Sequence, residues 1–172
     1  MPAYPQPEVR AAVAADAEQV AAIFAHYVAT SVATFEEVAP TAADWRQRME
    51  DLTASSLPFL VAAASGDGTI RGFAYASSWR PKPAYRYTVE DTVYLAPGWT
   101  GKGTGTALLT ELLSRCAGSG ARQVIAVIAD TGSPASAALH GRLGFAEVGI
   151  LPKVGFKFGR WVDTLLMQKG LR

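Results

Sequence analysis

The stretch that most constrains this chain is Val93 to Leu113, VYLAPGWTGKGTGTALLTELL. Val93-Tyr94-Leu95 is short and apolar, as the end of a strand is, and Pro97 and Gly98 stop it. Gly101, Gly103 and Gly105 then alternate through a turn. Directly after them Leu108, Leu109, Leu112, Leu113 and Cys116 recur at helical spacing, which predicts one apolar face of an amphipathic helix. The order is strand, glycine-rich turn, helix. Such a turn leaves backbone N–H groups uncovered at the positive end of a helix, a site suited to phosphate.

Two common phosphate loops are excluded. The dinucleotide pattern G-x-G-x-x-G fails because position 106 is Thr106, and the P-loop pattern fails because Gly101-Lys102 is followed by Gly103. Three glycines before a helix are also compatible with nothing more than a tight turn.

A chain of 172 residues predicts one domain with a substantial core. The net charge of +1 gives no reason to expect nucleic acid or an anionic membrane as partner. No apolar run is long enough for a transmembrane helix, and the start, MPAYPQPEVR, lacks a secretory pattern, so a cytoplasmic location is the expectation. One cysteine, Cys116, excludes an intrachain disulfide, and its place on the apolar helix face predicts an inert buried thiol. With only His26 and His140, and no H-E-x-x-H helix, no metal site is expected.

Residues 1–7 hold three prolines and read as a flexible arm before a single domain at 8–172. Glu8 to Val13 is a first strand. Asp16 to Gln19 resembles a capping box opening a helix to about Thr30. Thr34-Phe35-Glu36 is a loop, and Thr41 to Asp44 starts a second helix with Trp45, Met49 and Leu52 inward. Phe59 to Ala64 and Thr69 to Ser78 form a hairpin about Gly66-Asp67-Gly68. Trp79 to Pro83 interrupts pairing before a strand from Tyr87 to Leu95. A helix from 103 to about 117 follows. Gln123 to Ile128 is a central strand. Ser133-Pro134 suits an N-cap and first helical position for a helix to about Leu143. Ala146 to Leu151 is a strand, Gly155 and Gly159 bracket a loop, and Arg160 to Gln168 is the last strand. The order β-α-α-β-β-β-α-β-α-β-β predicts an α/β (α+β) protein, a mixed, mostly antiparallel sheet flanked by helices.

The segment T-G-K-G-T-G at 100–105 resembles the Q/R-x-x-G-x-G/A loop of the GNAT acetyltransferases, with Thr100 where that family has Gln or Arg. The element order is that of the GNAT fold as well. Three further stretches are similar to the phosphinothricin acetyltransferase group: WRPKPAYRYTVEDTVYL at 79–95, PASAALHGRLGF at 134–145 and GFKFGRWVDTLLMQ at 155–168. The likeness runs from about residue 8 to the C-terminus.

That resemblance implies transfer of the acetyl group of acetyl-CoA, by direct attack, to the primary amine of a small acceptor of the phosphinothricin, methionine sulfone or methionine sulfoximine type. It implies Glu90 as general base and His140 as the acid for the leaving thiolate. It places Val93, Tyr94, Leu95, Thr100, Gly101, Lys102, Gly103, Thr104, Gly105, Thr106, Ser133 and Ser136 at acetyl-CoA, Ser133 standing where relatives often have Asn. Phe35, Glu36, Arg80, Lys82, Tyr85 and Val154 fall on the acceptor, and a homodimer is implied. On their own chemistry these residues leave plainer readings open: a solvent-facing strand carboxylate for Glu90, a packed helical imidazole for His140, a solvated basic loop for Arg80 and Lys82. Asp91, opposite to Glu90 by strand alternation, is the poorer base. Two rivals remain at this point, an acetyltransferase acting on protein N-termini or lysines and a non-catalytic acyl-CoA-binding module.

Overall fold

In the computed structural model residues 4–172 are described. Of the arm expected at 1–7, residues 1–3 lie outside the described residues. Tyr4 packs edge-on to Trp99, and the Lys102 ammonium sits over both rings at 4.4 and 4.5 Å.

Seven strands form one sheet: β1 (Glu8–Ala11), β2 (Phe59–Ala63), β3 (Ile70–Ser78), β4 (Thr88–Leu95), β5 (Gln123–Ala129), β6 (Ala146–Lys157) and β7 (Arg160–Gly170). The order across the sheet is β1-β2-β3-β4-β5-β7-β6, and only the β4–β5 pair is parallel. Four helices cover it: α1 (Ala17–Thr30), α2 (Ala42–Ala54), α3 (Thr104–Gly118) and α4 (Ala135–Arg142). The expected element order is the observed one.

The apolar spacing of α3 does what the sequence predicts. Leu108, Leu109, Leu112 and Cys116 are fully buried against Leu60, Ala74 and Val124 of the sheet. Each such leucine contributes about 1.5–3 kcal/mol. On the other face Trp45 of α2 meets Phe24 of α1 and Phe73 of β3 edge-on at 5.2 and 5.3 Å. Phe73 is on β3, so both helices close one core with the sheet. β2 is covered on both faces, which is why FLVAA has no polar position.

Three local expectations are corrected. Asp16 does not cap α1: its carboxylate accepts both Arg10 guanidinium nitrogens at 2.8 and 2.9 Å and the Val13 N–H at 2.8 Å, tying β1 to the helix entry. At α2 a capping box is present, the Thr41 N–H donating to Asp44 at 2.7 Å. Pro134, not Ser133, is the N-cap of α4. Gly155 does not open a loop. β6 continues to Lys157 through an irregularity between Leu151 and Gly155, and the turn is confined to Phe158-Gly159.

Candidate active site

β4 and β5 pair only from Thr88–Glu90 to Gln123–Ile125. Beyond that point β4 stays with β3 as far as Leu95, and β5 stays with β7 as far as Ala129. Each strand keeps one ladder and abandons the shared one, so the sheet opens into a wedge whose facing peptide groups have no strand partner. A cavity of about 700 Å³ runs through this wedge.

One side of the cavity is the glycine turn. Gly101 and Gly103 have φ of +73° and +84°, the left-handed region that glycine enters without strain. Gly103 is the N-cap of α3 and offers no side chain, and the first main-chain bond of the helix is Ala107 N–H to Gly103 C=O at 3.0 Å. The N–H groups of Thr104, Gly105 and Thr106 therefore stand ahead of the helical ladder, at the positive end of the helix. A Cβ on Gly105 would lie 3.2 Å from Leu139 Cδ2 and 3.6 Å from Leu95 Cδ1, so glycine lets β4, α3 and α4 converge at the turn. This uncapped, glycine-walled helix start fits the pyrophosphate of acetyl-CoA.

The other side is the loop after α1. Tyr94 of β4 donates its hydroxyl to Ala33 C=O at 3.0 Å. Lys157 of β6, almost fully buried, donates to Ser31 C=O at 2.8 Å and Thr34 C=O at 2.9 Å. Burial lowers the Lys157 pKa, opposed by the charges of Glu37 and Glu36. The loop so held lays the Phe35 ring directly on Gly155, where any Cβ would collide with it.

Glu90 lies between the two sides, half-buried at the last position where β4 pairs with β5. Burial raises its pKa, the neighbouring Asp91 charge raises it further, and Arg80 opposes both. Asp91 points to the other face, as alternation predicts, and there it meets His140. The ring of His140 is 4 % exposed, with Nε2 2.8 Å from Asp91 Oδ2 and Nδ1 2.8 Å from Ser136 C=O.

The cavity wall includes Glu90, Val93, Tyr94 and Leu95 of β4. It includes Thr100, Gly101, Gly103, Gly105 and Thr106 of the turn, Ser133, Ser136 and His140 about α4, and Phe35. Lys102 is turned onto Tyr4 and Trp99 instead. Thr104 is buried, its hydroxyl without a partner among the described residues. Arg80, Lys82 and Tyr85 lie exposed after β3, Arg80 stacked 4.4 Å over Trp79; Glu36 and Val154 are exposed too, and none of these five is on the wall. Cys116 is buried with its pKa pushed up to about 12, an inert thiol. Among the described residues no cluster of three His, Cys, Asp or Glu side chains offers a metal site, and no helix is long and apolar enough to cross a membrane.

Lys157 and the Asp91–His140 pair escape a reading of local sequence. A lone lysine between apolar residues in GFKF, and a carboxylate on the core-facing phase of β4, are the signals that point to them.

A wedge between parallel strands, with an uncapped helix N-terminus on one side and a half-buried carboxylate beside it, suits an acyl-CoA-dependent transferase. The model of the acetyltransferase (GNAT) family matches residues 20–145, and the chain belongs to that family. It is an acetyl-CoA-dependent N-acetyltransferase. It is 48 % identical over 156 residues to the phosphinothricin N-acetyltransferase of Alcaligenes faecalis, covering 91 % of this chain and 78 % of that one. It is 36 % identical to the L-methionine sulfoximine/L-methionine sulfone acetyltransferase of Pseudomonas aeruginosa, covering 95 % and 94 %. The crystal structure of a GNAT superfamily phosphinothricin acetyltransferase from Sinorhizobium meliloti in complex with acetyl-CoA superimposes with a TM-score of 0.92 at 44 % identity, over 97 % of this chain and 89 % of that one.

Proposed function

We propose that this enzyme acetylates the primary amine of a small amino-acid-like acceptor carrying an anionic or strongly polar head, of the phosphinothricin, methionine sulfone or methionine sulfoximine type. The observation that carries the reading is one continuous cavity with the glycine turn on one side, the Phe35 loop on the other and Glu90 between them. The names of the relatives at 48 % and 36 % identity agree with it.

In this reading the N–H groups at the start of α3 take the pyrophosphate, and Ser133 and Ser136 flank the pantetheine arm. The main-chain N–H of Val93 or Leu95, with no strand partner, polarises the thioester carbonyl. Glu90 takes the amine proton, directly or through water, and His140 serves the leaving sulfur. Phe35 walls the acceptor. Arg80, whose charge Glu90 feels, attracts the acceptor's anionic group. We place the reaction in the cytoplasm, where acetyl-CoA is available.

The test is a CoA-release panel of phosphinothricin, methionine sulfone, methionine sulfoximine, ordinary amino acids and short peptides. The amino-acid analogues should exceed the peptides in kcat/KM by at least about tenfold, the scale of one charge-assisted contact. In the same panel Gly155→Ala, which displaces Phe35, should raise the acceptor KM and leave the acetyl-CoA KM unchanged. Peptides turned over as well as the analogues would overturn the acceptor assignment.

We also propose a homodimer. β6 is an edge strand, and Ile150, Val154, Phe156, Phe158 and Trp161 expose apolar side chains along the β6–β7 hairpin. Sedimentation should give twice 18.2 kDa, and Trp161→Asp should shift the mass toward that of one chain. A monomer at micromolar concentration would sink the idea.

A further inference from the structure

Asp91 and His140 are two buried titratable groups held together on the cavity wall. Their hydrogen bonds fix how many protons they carry. Ser136 C=O only accepts, so Nδ1 carries a hydrogen. Nε2 faces Asp91 Oδ2 at 2.8 Å, and two bare acceptors do not rest at that distance away from water. A second proton lies between them. The pair is an imidazolium and a carboxylate, one proton richer than a neutral imidazole beside a carboxylate. His140 occupies the last turn of α4, where the helix dipole favours a cation.

We propose that Asp91 is a positioning residue that keeps His140 doubly protonated, so that His140 gives its Nδ1 proton to the sulfur leaving the acetyl group while Nε2–H stays on Asp91. This rests on the assignment of His140 to the leaving group made above. The amine lone pair forms the C–N bond. The C–S bond breaks with its electron pair on sulfur, and sulfur takes the Nδ1 proton. The surplus amine proton goes to Glu90. His140 is left neutral with Nε2–H donating to the Asp91 carboxylate and a bare Nδ1 opposite Ser136 C=O, an unstable pairing that solvent relieves by returning a proton to Nδ1. The division of labour is that of a carboxylate holding an imidazole in one tautomer and stabilising its cation.

The surroundings agree. Burial alone would pull the imidazole pKa down, but the hydrogen bond and charge of Asp91 and the Ser136 carbonyl outweigh it, and the net shift is upward. From α3 the group coupled to Asp91 is Cys116, whose thiol stays neutral. From β4 it is Glu90, whose own pKa Asp91 raises. Arg142 of α4 is exposed at the cavity edge, and the Phe145 ring lies edge-on to the imidazole at 4.9 Å.

The chain has two histidines, so ¹⁵N spectra of the imidazoles resolve them, with exposed His26 as the internal comparison. In the unliganded wild-type enzyme His140 should be doubly protonated at neutral pH. Asp91→Asn keeps a hydrogen bond to Nε2 but supplies its proton from the amide, so His140 should become singly protonated at neutral pH. The alkaline limb of the kcat profile should move to lower pH in that variant, with a loss of about tenfold or more at pH 8.5 that recovers on acidification. A singly protonated His140 in the wild-type enzyme would overturn the proposal, even if Asp91→Asn does not fold. A doubly protonated His140 with an unmoved alkaline limb in Asp91→Asn would overturn the catalytic part. If no acceptor in the panel is acetylated, the imidazole spectra still decide the proton count.

Discussion

A Gly103→Val enzyme is expected to fold and to lose affinity for acetyl-CoA by about 10- to 100-fold, with a much smaller change in the acceptor KM. Gly103 sits at φ +84°, where a β-branched residue costs about 1–3 kcal/mol. A Cβ there would meet only the Gln6 side chain, at 3.5 Å, so the strain is in the backbone and not in packing. The turn relieves it by moving, and the N–H groups of Thr104, Gly105 and Thr106 move with it. Each charge-assisted hydrogen bond to a phosphate contributes about 1.5–3 kcal/mol, and about 1.4 kcal/mol is tenfold in affinity. Losing one of them gives the stated range. Gly103→Asn, which tolerates the left-handed region, should keep most of the affinity. Titration calorimetry with CoA reads the effect without turnover. A folded Gly103→Val protein with wild-type CoA affinity would remove the turn from the cofactor site.

The order of elements was legible because each carries its own periodicity. Leu108, Leu109, Leu112 and Leu113 on α3, the capped start of α2, and the Gly66-Asp67-Gly68 turn between two buried strands all act over a few residues. Where a local rule was overruled, a distant partner did it. Gly155 reads as a breaker in isolation, yet β6 runs through it, and its missing side chain is needed by Phe35, 120 positions earlier. Asp16 reads as a cap, but Arg10 claims its carboxylate.

The site follows the same division. The glycine turn and Glu90 lie in one continuous stretch and could be read together. The supports of the site could not. Lys157 reaches carbonyls 123 and 126 positions away, and Asp91 reaches a histidine 49 positions away. No window of sequence contains both partners, and the pairing exists only once the sheet brings β4 beside α4 and β6 beside the loop after α1. The wedge has the same origin. Val93 to Leu95 reads as an ordinary strand, and only the divergence of β4 from β5 leaves its main chain free to face a substrate.

Glu90→Gln should separate activity from stability. Glutamine keeps the size of the side chain and removes its basicity, so kcat should fall by about 10²-fold at neutral pH, the low end for loss of a general base. Burial and the adjacent Asp91 raise the Glu90 pKa above that of the unfolded chain. The native state therefore holds this proton more tightly than the unfolded state does. Below both pKa values the group contributes nothing; as pH rises from the unfolded value through the folded one, the unfolded chain ionises first and stability is lost. At neutral pH the carboxylate is thus a liability to the fold, and Glu90→Gln should have a Tm equal to or above that of the wild type while its turnover collapses. The same raised pKa brings the base nearer the working pH, so in the wild type kcat/KM should climb with pH as the carboxylate forms, and the variant should lack that limb. At higher pH, where the acceptor amine is already neutral, the deficit should shrink. A Glu90→Gln enzyme with wild-type kcat at every pH would assign proton removal to a path through solvent, and a variant of lowered Tm would show that the carboxylate is held by partners that stabilise its charge.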